Sequence, residues 1–525
     1  MRGDGRGMTG LLDRRSVLTA GAGLGAAVLM SSIAAATGRT SLVRTTLGPV
    51  RGTVESGLHI YRGLRYGMDT RPLRFQAPRA PAPWTRPAEA LEFGPSCPQS
   101  GDRYRPQSED CLFLNIWTPD PDARARRPVM VYFHGGAYSS GSVVDPLLDG
   151  RHLAARGDVV VVTVNHRLNA FGYLYLARLD PRFPDSGNAG QLDLILALRW
   201  IRDNIAAFGG DPGKVMVFGQ SGGGAKIATL MGTPAAAGLF HRAATMSGQQ
   251  VTASGPQNAT RRAQTYLERL GVADAGALLT MPTEALVEGL AATDPILGGG
   301  VYMGPVLDMK WLTRHPFWPD ANPQSNAIPM MLGNTRDETR GFYAPGHPRI
   351  AGLGWDNIAG RIAPELRLDA HPEWVVAQYR ERFPDWTAEQ VFFAATTAGR
   401  SWRGQVIEAE ERARAGVPAF VYQLDFASPV EPWRGAPHTL DIPLVFGTLD
   451  APGSIAGTGA DSRAVSEAMQ RAFLAFARTG DPGWPAYALP ERRTMIFDRE
   501  SRVEADPRRW QRELFARFPY IQPGT

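Results

Sequence analysis

Near its middle the chain carries the stretch Val215-Met216-Val217-Phe218-Gly219-Gln220-Ser221-Gly222-Gly223-Gly224-Ala225-Lys226-Ile227. An apolar, β-branched run stops at a glycine, a serine follows between small residues, and helix-compatible residues come next, a pattern typical of a strand, a sharp turn and a helix. Gly219 and Gly223 fit this turn, because a Cβ on either side of the serine would clash. The pattern predicts that Ser221 is an exposed nucleophile; the alternative is a glycine-rich turn without a chemical role.

Predicted strands and helices alternate on both sides of this stretch. Strands are predicted at 43–47, 58–61, 112–117, 129–133, 158–164, 243–247, 328–333 and 418–424, and helices at 192–208 and 462–478. The run 158–164 is apolar almost throughout, which indicates a central strand covered on both faces. The alternation therefore predicts an α/β fold with a mainly parallel sheet. Two helix-rich insertions, at about 258–294 and 352–416, are expected to cover the sheet edge that bears Ser221 and to shape a substrate pocket.

The composition is that of an ordinary globular protein, with 43% hydrophobic and 20% charged residues. The net charge of +5 does not indicate a nucleic-acid partner, because only three of the 56 basic residues are lysines and no basic run is long enough for an interaction arm. Such an arginine bias is typical of a GC-rich genome. We expect no nucleic-acid partner, and the oligomeric state is not predicted.

Residues 1–36 resemble an export signal rather than part of the fold. The twin arginine Arg14-Arg15 precedes an apolar segment that contains several glycines and ends at Ala34-Ala35-Ala36. The alternative is an uncleaved anchor, but the apolar segment is shorter than the roughly 20 residues that span a bilayer. We therefore expect cleavage after about Ala36, a soluble periplasmic or extracellular protein without stable membrane insertion, and one mature domain over 37–525.

The two cysteines of the chain, Cys97 and Cys111, lie close together in a polar segment with prolines and a glycine. In an oxidising compartment the simplest interpretation is a local disulfide between them. Two free thiols or a metal pair are the alternatives, although no histidine lies near either cysteine in sequence.

A serine nucleophile needs a base to take its proton, and the base needs an acid to orient it. After Ser221, carboxylates in a strand-to-loop setting are few, and the best placed follow the predicted strand that ends at Gly333: Asp337 and Glu338. The histidines beyond them are His347, His371 and His438. His438 is the candidate base, because it occupies a turn before an apolar segment.

Two longer motifs reveal a family resemblance. The run Ser-Glu-Asp-Cys-Leu-Phe-Leu-Asn-Ile at 108–116 matches the second signature of type-B carboxylesterases nearly residue for residue, and 208–212 with 218–223 match the first. From about residue 43 to residue 482 the chain resembles this family of cholinesterase-like α/β-hydrolases, which includes bacterial para-nitrobenzyl esterases. It departs mildly: Gln220 stands where Glu is usual, Gly222 where Ala is usual, and Thr439 where Gly often follows the histidine.

The resemblance implies an α/β-hydrolase fold with a large, mainly parallel sheet, helices on both faces, and a carboxylic ester hydrolase that works through an acyl-enzyme. Such an enzyme needs no metal or cofactor. The implied catalytic triad is Ser221, Glu338 and His438, with Glu338 preferred over Asp337. The implied oxyanion hole consists of the backbone N–H groups of Gly136, Ala137 and Gly222. Ser247 is expected to support the acid, and His134 to be structural.

Each assignment has an alternative. Glu338 could form a surface ion pair with Arg336 or Arg340, His438 could be an ordinary loop histidine, and Ser247 could serve packing only. The fold also serves non-catalytic adhesion proteins, although these have lost the serine or the histidine. An amidase or lactonase would use the same triad.

The substrate prediction is a small neutral ester with a short or medium acyl chain. Cholinesterases hold their cationic substrate against an indole from the disulfide loop. Here the loop 98–110 lacks tryptophan, and its aromatic residue Tyr104 is flanked by Arg103 and Arg105, which would repel a cation. We therefore expect no choline preference, unless Trp355 or Trp402 reaches the same place.

Overall fold

The stretch quoted first begins in the strand Gly210–Gln220 of the computed structural model, which describes residues 38–40 and 42–522. The predicted export signal, residues 1–36, lies outside the described residues. The strands are β1 (Gly38–Arg39), β2 (Val43–Arg44), β3 (Pro49–Arg51), β4 (Thr53–Glu55), β5 (Leu58–Arg65), β6 (Ala88–Glu89), β7 (Phe113–Thr118), β8 (Arg127–Phe133), β9 (Val160–Val164), β10 (Gly210–Gln220), β11 (Arg242–Met246), β12 (Met330–Thr335), β13 (Ala419–Leu424), β14 (Arg493–Phe497) and β15 (Arg502–Ala505). The α-helices are α1 (Arg151–Gly157), α2 (Asn169–Tyr173), α3 (Ala189–Asn204), α4 (Gly222–Met231), α5 (Pro256–Leu270), α6 (Thr283–Glu288), α7 (Ile358–Ile362), α8 (Pro372–Arg382), α9 (Ala388–Thr397), α10 (Arg403–Arg414), α11 (Asp441–Phe446), α12 (Ala460–Thr479) and α13 (Arg509–Phe515).

Within the described residues, one 12-stranded sheet has the order β1-β4-β5-β7-β9-β8-β10-β11-β12-β13-β14-β15. The pairings from β9 to β14 are parallel, and those on either side are antiparallel. A small second sheet contains β2, β3 and β6. Parallel strands bring their carboxyl ends to the same edge, where ligands bind in open α/β sheets. The turns after β8, β10, β11 and β12 therefore meet at one edge.

Each face of the sheet has its own apolar core. In β10, Val215 and Val217 belong to a buried cluster that includes α3 and α4, whereas Met216 and Phe218 belong to another that includes α11 and α12. Because side chains alternate along a strand, this division places helices on both faces. Every residue of β9 is buried, as expected for a central strand.

The helices α7 to α10 and α13 form a third structure, called the helical cover below. It has a separate buried apolar cluster, with Ile362, Tyr379, Phe392 and Phe515 among its members. The cover is tied to the turn after β12, where the backbone N–H of Thr339 donates to the hydroxyl of a threonine at the end of α9 (3.2 Å). The cover therefore contacts the sheet edge while packing around its own core.

The predicted α/β architecture is confirmed, with a large sheet surrounded by helices. The sequence analysis does not predict the C-terminal strands β14 and β15. The strand β15 is largely exposed and carries charged residues instead of an apolar run. Among the described helices, none has both the length and the apolar character that crossing a membrane requires.

Candidate active site

Ser221 lies in the turn between β10 and α4, with φ 55° and ψ −124°. A positive φ is costly for a residue with a Cβ, so the surrounding structure must hold it. The glycines on either side allow close packing: a Cβ on Gly219 would lie 2.7 Å from the carbonyl oxygen of Phe133, and a Cβ on Gly223 would overlap that oxygen. The turn therefore has the shape of a nucleophile elbow, with Ser221 lining a cavity.

The loop after β8 packs against the start of α4. A Cβ on Gly222 would overlap the carbonyl oxygen of Ala137, so this loop lies closer to α4 than an alanine at position 222 would allow. Gly136 and Ala137 both have positive φ, 84° and 53°, and line the cavity together with Gly222 and Ser221. In the described part of the chain, the amides of Gly136 and Ala137 donate to no protein acceptor. These N–H groups are available to a ligand in the cavity.

Glu338 lies in the turn after β12 and is fully buried. Its Oε1 accepts hydrogen bonds from Ser247 Oγ (2.6 Å), Asn334 Nδ2 (3.0 Å) and the backbone N–H of Thr335 (2.7 Å). Its Oε2 accepts from His438 Nδ1 (2.5 Å). The alternative of a surface ion pair is wrong, because the carboxylate is buried and satisfied by other groups.

The hydrogen bonds of Glu338 favour its ionised form. Burial acts to raise the pKa of Glu338, but the neighbouring His438 and the hydrogen bonds just described lower it below its usual value. Asp337 has a different environment, because it accepts from the N–H of Ala436 (2.9 Å) and pairs with Arg336 (3.0 Å). Glu338, and not Asp337, is therefore the partner of His438.

His438 lies in the loop before α11, with its ring against the Phe342 ring at 4.9 Å between centroids. Because Nδ1 donates to Glu338, Nε2 is the acceptor nitrogen of the ring. The amide nitrogen of Gln220 lies 3.2 Å from this Nε2. Among the described residues, no hydrogen bond joins Ser221 to His438, and such bonds often tighten only when substrate is bound.

Two cavities adjoin at His438. One has a volume of 430 Å³ and contains the nucleophile; its lining includes Ser221, Gly222, Ser247, Phe342 and Arg400. The other has a volume of 710 Å³ and lies beside the cysteine loop; its lining includes Tyr104, Asp145, Glu431 and Arg434. Both cavities share Gly136, Gln220, His438 and Thr439. A substrate could therefore place its two halves on opposite sides of His438.

Comparison with known proteins shows the family of the chain. A sequence model of the carboxylesterase family matches residues 39–505. The para-nitrobenzyl esterase of Bacillus subtilis (strain 168) is 34% identical over 497 residues, which cover 90% of this chain and 98% of that protein. The phenmedipham hydrolase of Pseudarthrobacter oxydans is 31% identical over 493 residues, which cover 87% of this chain and 95% of that protein.

The chain belongs to the carboxylesterase family. The crystal structure of a Geobacillus stearothermophilus carboxylesterase at pH 6.2 matches the esterase with a TM-score of 0.82 and 35% identity, and covers 91% of this chain and 100% of that one. The esterase is a serine hydrolase of carboxylic esters with the α/β-hydrolase fold. The predicted family, fold class and reaction class are confirmed.

The predicted disulfide is absent from the structure, in which Cys97 and Cys111 are buried free thiols. A hydrogen bond with Cys97, together with burial, raises the pKa of the Cys111 thiol well above its usual value. The thiols are therefore neighbours, as the sequence interpretation requires, and the structure does not confirm the bridge. Oxidation depends on the compartment, so the bridge stays a prediction.

Neither tryptophan considered above reaches the catalytic cavities. Trp355 is 40% exposed and lies under the guanidinium of Arg380. Trp402 is buried in the helical cover, beside Arg508. The alternative that one of them takes the place of the missing indole is therefore wrong, because neither lines the cavities that adjoin at His438.

The sequence interpretation missed two neighbours of the catalytic groups, Phe342 and Asn334. Asn334 could have been noticed as a polar residue at the end of a predicted strand. Phe342 gave no local signal, because its contact with His438 depends on the folding of a loop nearly a hundred residues away. Similarly, Gln220 and His438 are 218 residues apart in the chain.

Proposed function

We propose that Ser221, His438 and Glu338 are the catalytic triad of the esterase, with an oxyanion hole formed by the N–H groups of two loop residues and Gly222. The observation that carries the proposal is the 2.5 Å hydrogen bond between His438 Nδ1 and Glu338, beside a strained serine in the same cavity as His438. This bond fixes the tautomer in which Nε2 is the proton-accepting nitrogen of the ring. The hydrogen bond from Ser247 Oγ to Glu338 (2.6 Å) supports a role for this serine in holding the acid.

Each group then has one task in the reaction. Ser221 Oγ attacks the carbonyl carbon of the ester while His438 Nε2 takes its proton, and Glu338 stabilises the resulting imidazolium. The N–H groups of Gly136, Ala137 and Gly222 bind the developing oxyanion. His438 returns the proton to the leaving alcohol, which gives an acyl-enzyme. Water then repeats the attack, and the acid is released.

Gln220 has to yield during this cycle. Its amide lies against His438 Nε2, the nitrogen that must accept the proton of Ser221. In the proposed reaction Nε2 therefore has to exchange the Gln220 amide for the Ser221 hydroxyl.

The nucleophile is tested by covalent labelling. An alkyl fluorophosphonate should modify wild-type esterase at Ser221, and peptide mass spectrometry should locate the adduct. Ser221→Ala should remain unlabelled, keep the wild-type melting temperature and lose at least about 10³-fold in kcat on a para-nitrophenyl ester. An adduct on another residue, or an active alanine variant, would overturn the assignment. A screen of esters, amides and lactones separates an esterase from an amidase or lactonase.

The substrate we propose is a neutral ester with a short or medium acyl chain. The acidic residues in the larger cavity are already paired: Asp145 with Arg103 (2.9 Å) and with the hydroxyl of Tyr104 (2.9 Å), and Glu431 with Arg434. In the described residues that line the two cavities there is no tryptophan. A cationic alcohol would therefore find neither a free carboxylate nor an indole.

The substrate proposal is tested by charge. The ratio of kcat/KM for butyrylthiocholine to that for its uncharged carbon isostere should lie near one. A preference for the cation above roughly tenfold, equivalent to about 1.4 kcal/mol, would contradict it.

We also propose that the esterase is exported through a twin-arginine signal. This proposal rests on the twin arginine at positions 14 and 15. Exported esterase should have a mature N-terminus near Thr37 and a Cys97–Cys111 bridge in non-reducing mass spectrometry. Replacement of Arg14 and Arg15 by lysine should block export. An intact N-terminus on a cytoplasmic protein would reject the export proposal, whereas free thiols in exported protein would reject only the bridge.

A further inference from the structure

Lys226 is a fully buried lysine in α4, one turn beyond the nucleophile. Lysine is almost never fully buried unless it is paired. The side chains of the other two lysines, Lys214 and Lys310, are 46% and 48% exposed and face aspartates. In the described part of the chain, Lys226 forms no ion pair with a carboxylate, so a different partner must account for its burial.

The partner of Lys226 is the loop that carries two of the proposed oxyanion donors. Its Nζ donates to the carbonyl oxygen of His134 (3.1 Å), the residue before Gly135. The same Nζ lies 5.6 Å from the centre of the Tyr138 ring, which follows Ala137 in the chain. Lys226 therefore contacts both ends of the loop.

This loop needs support, because its conformation is strained. Ala137 has φ 53°, a conformation that residues with a Cβ rarely adopt. Such strain persists only where the surroundings determine the backbone, and it concentrates at functional sites. A hydrogen bond to the loop from a helix that is fixed on the sheet is the kind of restraint required.

Of the two histidines near Lys226, one makes a local contact with the loop: His134 Nδ1 lies 3.0 Å from the carbonyl oxygen of the next residue, Gly135. The rings of His134 and His166 meet edge to face at 4.7 Å between centroids, and both are buried. Burial, with the nearby Lys226, lowers the pKa of His134 to about 3 and that of His166 well below its usual value, so both are neutral. In the described residues, His134 Nε2 has no hydrogen-bond partner. The His134 contact stays within the loop, whereas the hydrogen bond from Lys226 ties the loop backbone to α4.

We propose that Lys226 is a positioning residue, which holds the Gly135–Ala137 backbone in the geometry that binds the oxyanion through its hydrogen bond to the His134 carbonyl. This inference rests on the proposed function and adds to it a residue outside the triad and the oxyanion hole. Both the ammonium and the neutral amine can donate this hydrogen bond, so the restraint does not depend on the protonation state of Lys226.

The deciding variant is Lys226→Met, which keeps the length of the side chain and removes the donor. We expect kcat to fall by about 10- to 100-fold, less than the 10²- to 10³-fold typical of losing an oxyanion donor itself. KM should change by less than about twofold, because the loop acts on the transition state. The affinity for an aryl trifluoromethyl ketone, which forms an oxyanion on Ser221, should weaken by the same factor as kcat.

Stability separates positioning from a structural role. Burying a lysine is costly, and its single hydrogen bond contributes only about 1 kcal/mol, so the melting temperature of Lys226→Met should be unchanged or higher. Lys226→Gln keeps an N–H donor on a shorter side chain and should recover part of kcat and of the ketone affinity. Lys214→Met, at an exposed site beyond the cavity, is the matched control and should leave all values unchanged.

Several outcomes would overturn the inference. They are a wild-type kcat in Lys226→Met, a loss of kcat without weaker ketone binding, and a loss of kcat together with a lower melting temperature. If Lys226→Met does not fold, Lys226→Leu is measured in the same way. Fluorophosphonate titration of the wild type keeps the two proposals apart: failure to label Ser221 rejects the proposed triad, whereas normal labelling with an unaffected Lys226→Met rejects only the role of Lys226.

Discussion

The elbow between β10 and α4, at the carboxyl edge of the sheet, and the helical cover, which has a core of its own, differ in how closely they are packed. The elbow leaves no room for an added methyl group. A Cβ at Gly222 or Gly223 would overlap backbone oxygens of the neighbouring segments. By contrast, Gly360 in α7 has open space around its Cβ position. The turns at the edge are therefore closely packed, whereas the exposed face of α7 has room for a larger residue.

The two regions also contact the substrate cavity differently. The edge carries the proposed nucleophile, base and acid. Buried hydrogen bonds hold the base and the acid in place. The cover supplies Arg400, between α9 and α10, to the wall of the cavity that contains Ser221. Its guanidinium lies 4.5 Å from the ring centre of Phe342, which lines the same cavity from the loop before the cover. We therefore expect changes at the edge to lower the rate of the chemical step, and changes in the wall to alter substrate affinity.

The largest effect expected in this comparison concerns the proposed acid. Glu338→Gln should lower kcat by about 10²- to 10⁴-fold, because a neutral amide cannot stabilise the imidazolium of His438. Asp337→Asn is the matched control one residue away and should cost much less, since Asp337 faces Ala436 and Arg336. Steady-state kinetics on a para-nitrophenyl ester measures both. A more damaged Asp337 variant would show that the acid has been assigned wrongly.

The next prediction concerns the oxyanion loop, the segment Gly135–Ala137, and how closely it approaches α4. In Gly222→Ala the new methyl group would overlap the Ala137 carbonyl oxygen and push the loop outward. A displacement on the order of 1 Å can cost about 10²-fold, so kcat should fall by roughly 10- to 10²-fold with a smaller change in KM.

Gly360→Ala is the control for this change in the cover. It should leave kcat unchanged and raise the melting temperature slightly, since alanine favours a helix over glycine by about 1 kcal/mol. Full activity in Gly222→Ala would show that the loop is not confined as the structure indicates.

A smaller effect is expected at the wall of the cavity. Phe342→Ala removes a ring that contacts His438 and should raise KM by about three- to tenfold with a smaller change in kcat, the loss expected for part of one aromatic contact. Trp374→Ala, in the cover and packed against Phe518, is the control. It should lower the melting temperature without changing KM. If both variants changed KM equally, the cover would act on the site as one unit.

The difference between the regions also explains what could be predicted from the sequence. The elbow, the strand before the oxyanion loop and the strand before Glu338 each have a local signal, an apolar run that ends in a turn of defined composition. The positions of Trp355 and Trp402 could not be predicted, because they depend on how the helices of the cover pack together. The burial of Lys226 was also unforeseen, since a lone lysine in a helix is usually exposed.

The smallest effect concerns Asp441 at the start of α11, which is buried and accepts a hydrogen bond from the Tyr422 hydroxyl (3.2 Å). Burial, with the nearby charge of Glu338, raises the pKa of Asp441 to about 7. Between the unfolded pKa of about 3.9 and the folded value, the folded state binds more protons than the unfolded state, so stability is lost as pH rises.

Asp441→Asn should remove this pH dependence. From about pH 5 to about pH 8 the melting temperature of the wild type should fall relative to that of the variant, by on the order of 1 °C or more. Because the charge of Glu338 contributes to the raised pKa of Asp441, the pH-dependent part of the difference should shrink when both are measured in a Glu338→Gln background. Two results would contradict this: melting temperatures of wild type and Asp441→Asn that change equally with pH, or a pH-dependent difference that is undiminished in the Glu338→Gln background.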